Sequence, residues 1–195
     1  MSGFAPHCQI TTEDGPVPLE WVAQGDRVLT RDSGYQPILR IEHTRLSMAT
    51  LRHLPELAPV KIECSALDHD LPTRDIVLSP SQLVYVDRDP VQPGRGGVLM
   101  PADVFAPRVE PKERPKSEQV NYVSILLNGH HMIQIEGAWV GSLFIADIAS
   151  DLHPHDPMFQ GMTKGEMVPV APILRRSDAI AFLRSRNAPK TRKSA

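Results

Sequence analysis

The sequence has little of what most identifies a protein by composition. It has two cysteines in 195 residues, Cys8 and Cys64, and no C-x-x-C pair, which removes both a disulfide framework and a cysteine-based zinc site. Aromatic residues are 5% of the chain, and the formal net charge is only -2. A nucleic-acid partner is therefore not expected, because its usual footprint is a strongly basic domain or stripe. The one basic cluster, Lys190, Arg192 and Lys193, sits at the end of the chain and reads as a solvated tail. There is no internal repeat. The first residues, Met1 to His7, lack the basic start and apolar core of a secretory signal. The longest mostly apolar stretch, 138–149, is interrupted by Gly141, Ser142 and Asp147 and falls short of the ~20 residues that cross a bilayer. With neither address nor anchor, a soluble chain is expected, cytoplasmic by default.

What is abundant is proline. The 19 prolines are nearly twice the usual ~5% and are spread along the chain. Each costs about 3 kcal/mol inside a helix, so a fold of short strands and turns is expected. The length suits one domain with a short appendage. Hydrophobic residues at 41% and charged residues at 23% are close to globular norms and exclude wholesale disorder.

Strand and turn signals follow at short intervals. Cys8 to Thr12 runs into the turn Glu13-Asp14-Gly15, and Pro16 to Ala23 is a short amphipathic piece. Gly25-Asp26 leads into Arg27–Arg31, with Asp32-Ser33-Gly34 as a hairpin turn. A turn or two of helix fits 47–57, and period-two strands fit 60–64, 75–80 and 83–86. The loop at 87–97 and the proline-rich, charged stretch 106–118, the best linker candidate, interrupt them. Asn128-Gly129 between two apolar runs predicts a hairpin, because both residues accept positive φ. Glu136-Gly137 predicts the next turn. Beyond residue 149 only Ser177 to Arg184 reads as a helix, with Ser177 as N-cap. His153-Pro154-His155-Asp156 reads as a polar loop, not a metal cluster, and Met158, Met162 and Met167 as a flap against the domain.

The chemistry-bearing residues fall into a recognisable order. Cys8-x-Ile10-x-x-x-Asp14-Gly15, then Pro18-Leu19-Glu20-x-Val22, then Gly25-Asp26-x-Val28-Leu29-Thr30 resembles the opening of the Hint domain, the self-processing β-fold of hedgehog autoprocessing domains and inteins. It is most similar to the bacterial Hint-2 branch. Leu71-Pro72-x-Arg74-Asp75-x-x-Leu78-Ser79-Pro80 resembles the central motif of that family. The stretch from Tyr122 through Asn128-x-His130 to Glu136-Gly137-Ala138-Trp139-Val140-x-Ser142-Leu143 resembles its closing motif.

The resemblance implies a mainly β, Hint-like fold over 8–148, preceded by a leader at 1–7 and followed by an extension at 149–195 carrying one short helix. It implies self-processing without cofactor or metal, in which the Cys8 thiol attacks the carbonyl of His7 and the resulting thioester is cleaved. Proximity removes much of the entropic barrier to such a step. The substrate would be the chain's own N-terminal segment, so this is an autocatalytic protein and not a multiple-turnover enzyme. Ser79 and Gln82 would orient the scissile amide, and His130 would be an auxiliary acid–base group. The family's T-x-x-H tetrad is here Ser79-Pro80-Ser81-Gln82, and glutamine has no proton to deliver near pH 7. General acid–base help is worth about 10²–10⁴-fold, so slow or degenerate cleavage is expected. Asp75 is the candidate substitute; its alternative is an ordinary strand-edge salt bridge. Only one of His130 and His131 can face the thiol, since neighbours on a strand point to opposite faces. Splicing is not expected, because Gly141-Ser142 stand where inteins carry His-Asn.

The competing expectation is a binding or structural module that keeps the fold without the reaction, with a protein as its partner. A thiol enzyme acting on other molecules has no motif behind it.

Overall fold

The protein is described from a computed structural model covering residues 2–67, 70–88, 96–105, 119–143 and 168–187. The stretch 106–118, His153 to Asp156, Met158, Met162 and Met167, Lys190 to Lys193 and most of the 87–97 loop lie outside these residues. The chain is mainly β, as its prolines and period-two runs predict. The strands are β1 Gln9–Thr12, β2 Gly15–Pro18, β3 Arg27–Thr30, β4 Gly34–Pro37, β5 Arg40–Ser47, β6 Val60–Ile62, β7 Ile76–Leu78, β8 Leu83–Asp87, β9 Gly97–Pro101, β10 Gln119–Leu126, β11 Met132–Ile135 and β12 Ala138–Gly141. Two helices are described, α1 Met48–His53 and α2 Arg176–Asn187.

One eight-stranded antiparallel sheet runs β2-β1-β3-β11-β12-β8-β9, with β4 added on β3. β5 pairs with β10 along all eight residues of each, from Arg40↔Leu126 to Ser47↔Gln119, and β6 pairs with β7. The predicted helix at 47–57 forms as α1, capped by the Ser47 side chain on the Thr50 N–H, and a 3₁₀ turn at Pro55–Leu57. The β3–β4 and β11–β12 hairpins form where the turn residues place them; Glu136 and Gly137 both take positive φ, 45° and 80°.

Two sequence expectations are corrected. Asn128-Gly129 does not close a hairpin: β10 is fully paired with β5, and β11 with β12. The turn instead carries the chain from one sheet to the other, with Gly129 at φ 115°. Ser177 is not the N-cap of the last helix, which starts one residue earlier; its hydroxyl bonds to Asp178 within the first turn.

Residues 2–5 do not stand apart as a leader. Phe4 N–H donates to Val123 O and Val123 N–H to Phe4 O, both at 2.8 Å, while Ala5 N–H reaches Val77 O at 2.8 Å and Ser79 N–H reaches Gly3 O at 2.9 Å. Phe4 thus bridges β10 on one side and β7 on the other. Its side chain is 1% exposed in the main core, beside Ile76, Leu78 and Val123. The physical reason is plain: an apolar segment that pairs on both edges and fills a core position is part of the sheet.

Candidate functional site

The turn after β7 sets the first side of the site. Gln82 N–H closes on Ser79 O at 3.0 Å, so Ser79 and Gln82 occupy two ends of one turn, and both are buried. The side-chain amide of Gln82 donates to Gly141 O at 2.7 Å and to Leu83 O at 3.3 Å. Gly141 ends β12, and it must be small: a Cβ there would stand 2.9 Å from His130 Nε2 and 3.2 Å from Leu83 Cβ. His130 therefore packs its ring on Gly141, while Gln82 holds the carbonyl of the same residue.

The two ends of the domain meet here. Leu143 N–H donates to Ile125 O at 2.7 Å, and the Ser124 hydroxyl donates to Ser2 O at 2.7 Å, so residues 2–4 and 143 lie along the same strand, β10. Gly3 fits only because it lacks a side chain; a Cβ would come 2.8 Å from Tyr122 Cβ. The site is thus built from Ser79, Gln82, His130 and Gly141, with the backbone of Ser2 and Gly3 beside Ser79 and Ser124.

His130 is 2% exposed, and burial pushes its pKa down from 6.5 to about 4. At neutral pH it is an uncharged imidazole. Its Nδ1 accepts from the Val170 N–H at 3.4 Å, which leaves the ring proton on Nε2, the nitrogen beside Gly141. His131 turns the other way, as strand alternation requires. Its Nδ1 meets Asp32 Oδ2 at 2.5 Å, and the Met132 N–H also donates to Asp32. Burial raises the Asp32 pKa, yet the Met132 N–H and His131 together hold it below the usual carboxylate value.

Cys8 immediately precedes β1. It is 1% exposed in the core with Ile10, Leu19 and Ile76. Burial pushes its thiol up from 9.0 to about 11, against a lowering hydrogen bond from the Val77 backbone, with the Glu136 charge raising it further. The following residue, Gln9, exchanges bonds with Glu136: its N–H donates to Oε1 at 2.8 Å, and Glu136 N–H donates to Gln9 O at 2.9 Å. That places Cys8 by the β11–β12 turn, whereas His130 and Gln82 meet Gly141 at the far end of the same hairpin, where Met132 pairs with Gly141. Of the four residues expected to converge, Gln82 and His130 meet at Gly141 and Ser79 lies in the turn that carries Gln82, while the Cys8 sulfur is held by the Val77 backbone, two residues before Ser79.

Asp75 is exposed, pairs with Lys61 Nζ at 2.7 Å and accepts from the Cys64 N–H at 2.8 Å. The Lys61 hydrogen bond, followed by that of the Cys64 backbone, holds its carboxyl below the usual value. It is the strand-edge salt bridge, between β6 and the start of β7. Gly3, Ser124 and Val170 had no signal in the sequence, because each enters the site through backbone or short-side-chain contacts across long separations. Among the described residues, no group of three or more His, Cys, Asp or Glu side chains is arranged to hold a metal.

The Hint domain family model, Hint_2, matches residues 2–147. Among solved structures, the chain is similar to the gp41-1 intein, with 14% identity, a TM-score of 0.44 and coverage of 72% of this chain and 98% of that one. It is similar to a splice-inactive variant of the AceL NrdHF class 3 split intein, with 11% identity, a TM-score of 0.46 and coverage of 73% and 99%. The MchDnaB-1 intein aligns at 13% identity, a TM-score of 0.45 and coverage of 72% and 99%. A search of curated proteins gives no match. No described helix is long and apolar enough to cross a membrane.

Proposed function

The chain belongs to the Hint domain family, whose fold is that of a self-processing domain, and from that premise we propose that it is a member acting as a binding or structural module, without cleavage of its own chain. The observation that carries this reading is the burial of Cys8, which is 1% exposed within the main apolar core. A thiol with a pKa near 11 is thiolate in only about one molecule in 10⁴ at pH 7, and the thiolate is the nucleophile. The amide nitrogen of Cys8, the leaving group of that step, donates to Ala5 O at 3.3 Å. Gln82 has no proton to give, and its amide is already committed to Gly141 O. His130, uncharged at neutral pH, is not the ready acid the step calls for. The product side weighs the same way, since residues 2–5, which cleavage at His7–Cys8 would release, pair with β7 and β10.

The second reading, slow thioester formation at His7–Cys8, is favoured by one observation, the presence of the Ser79–Gln82 turn of the central motif beside residue 3. Intact-mass measurement separates the two. Purified wild type, Gln82→His, and each combined with Cys8→Ala are incubated with excess thiol. The module reading expects no chain starting at Cys8 in any of the four. A Cys8-dependent fragment in the Gln82→His chain would replace it with the slow self-processing reading.

A further inference from the structure

Beyond the matched region, the described chain resumes at Val168 and returns to the domain. Residues 168–174 read Val-Pro-Val-Ala-Pro-Ile-Leu. Each proline fixes its own φ and biases the residue before it to extended backbone, so this stretch is pre-set as a strand. It lies along β9, the terminal strand of the large sheet. Leu99 N–H donates to Pro172 O at 2.9 Å, Leu174 N–H donates to Leu99 O at 2.8 Å, and Ile173 forms a parallel bridge with Leu99. Val170 and Ala171 pack on the cluster of Tyr85, Leu99 and Met132, and the Val170 N–H meets His130 Nδ1. α2 then clamps the segment: Ala179 is fully buried, with Phe182 and Leu183 against Val86, Val98 and Met100. Arg176 adds an ion pair to Asp103 at 2.8 Å.

We propose that the β9 edge, with the apolar surface of Tyr85, Leu99 and Met132 beside it, forms a strand-addition site for an extended, proline-containing apolar peptide, and that residues 168–174 are its resident ligand. The chemistry is that of β-augmentation: an unpaired sheet edge supplies backbone hydrogen bonds, and the apolar surface beside it selects alternate side chains. The module is therefore self-occupied, and a partner carrying a segment of the same kind binds by displacing the chain's own. This inference gives the module reading its ligand class; cleavage of the chain is read independently by intact mass, so either can fail alone.

The test uses the full chain. Ala179→Glu puts a charge into the contact that clamps α2, and Leu174→Pro removes both the N–H donated to Leu99 O and the Leu174 side chain packed with α2 on Val86, Val98 and Met100. A synthetic peptide of residues 168–175 is titrated onto wild type and both variants, beside a scrambled peptide of the same composition. At least tenfold tighter binding of the native-order peptide to a folded variant than to wild type is expected, with no such gain for the scrambled one. In the variants the Leu99 amide exchanges at least tenfold faster, and the peptide restores its protection. Equal binding of both peptides, or no binding to either variant, overturns the proposal. Should both variants unfold, the unaltered chain decides: an excess of the native-order peptide that speeds exchange of the Ala179 amide, which donates to Arg175 O, supports the proposal, and no effect beyond that of the scrambled peptide overturns it.

Discussion

Cys8 and His130 are both buried at the margins of the β11–β12 hairpin, yet their surroundings differ in kind. Cys8 shares the main apolar cluster with Ile10, Leu19 and Ile76, and its sulfur has a backbone hydrogen bond with Val77. Around His130 stand the Gln82 amide, the backbone of Gly141 and the Val170 N–H, polar groups brought from three separate parts of the chain. A thiol in the first place behaves as core; an imidazole in the second is positioned and hydrogen-bonded. The residue type that most suggests chemistry in the sequence thus sits where chemistry is hardest, in the apolar core.

The strongest way to break this comparison is through the segment ahead of Cys8. Phe4→Ala should cost about 3–5 kcal/mol in urea unfolding, the usual range for a buried phenylalanine truncated in a core. A dispensable leader would show no change.

The His130 side can be sharpened by pH. Its folded pKa is near 4 and its ordinary value 6.5, so between these limits the unfolded chain binds a proton that the folded chain refuses. Stability is therefore full above pH 6.5 and falls as pH drops toward 4, by at most about 3 kcal/mol from this group. Subtracting the pH profile of His130→Gln from that of wild type should isolate this slope. A difference that is flat between pH 4 and 6.5 would place His130 in water.

The smallest effect is on thiol reactivity. Cys64 is exposed and Cys8 buried. Alkylation of the native protein at pH 7.5 should add one group, at Cys64, and unfolding should expose the second. Rapid labelling of both would put Cys8 at an accessible site.

Much of this fold was legible in advance. The turns Asp14-Gly15, Asp32-Ser33-Gly34 and Glu136-Gly137 declare their hairpins, because their residues suit the backbone those turns need. The Asn128-Gly129 turn was misleading for a reason of the same kind: local chemistry specifies a reversal, but which strands pair afterwards depends on longer-range partners, here β5 for β10. The role of Phe4 was hidden because a strand of three or four residues, one of them glycine, carries no readable period. At the site, Ser79, Gln82 and His130 could be named from motif order alone. The position of Cys8 could not, since a shift along one strand separates a buried core thiol from a reactive one. The Val170–His130 contact was likewise beyond reach, being a backbone donor 40 residues away.

The central claim, a Hint fold that does not cut its own chain at His7–Cys8, is tested most directly by the mass of the unaltered protein. Freshly purified chain is held at neutral pH with hydroxylamine, which captures a thioester and leaves an amide intact. The account predicts a single full-length species, with or without its initiator methionine, unchanged over many hours. A species beginning at Cys8 that grows with hydroxylamine and is absent from Cys8→Ala would contradict it.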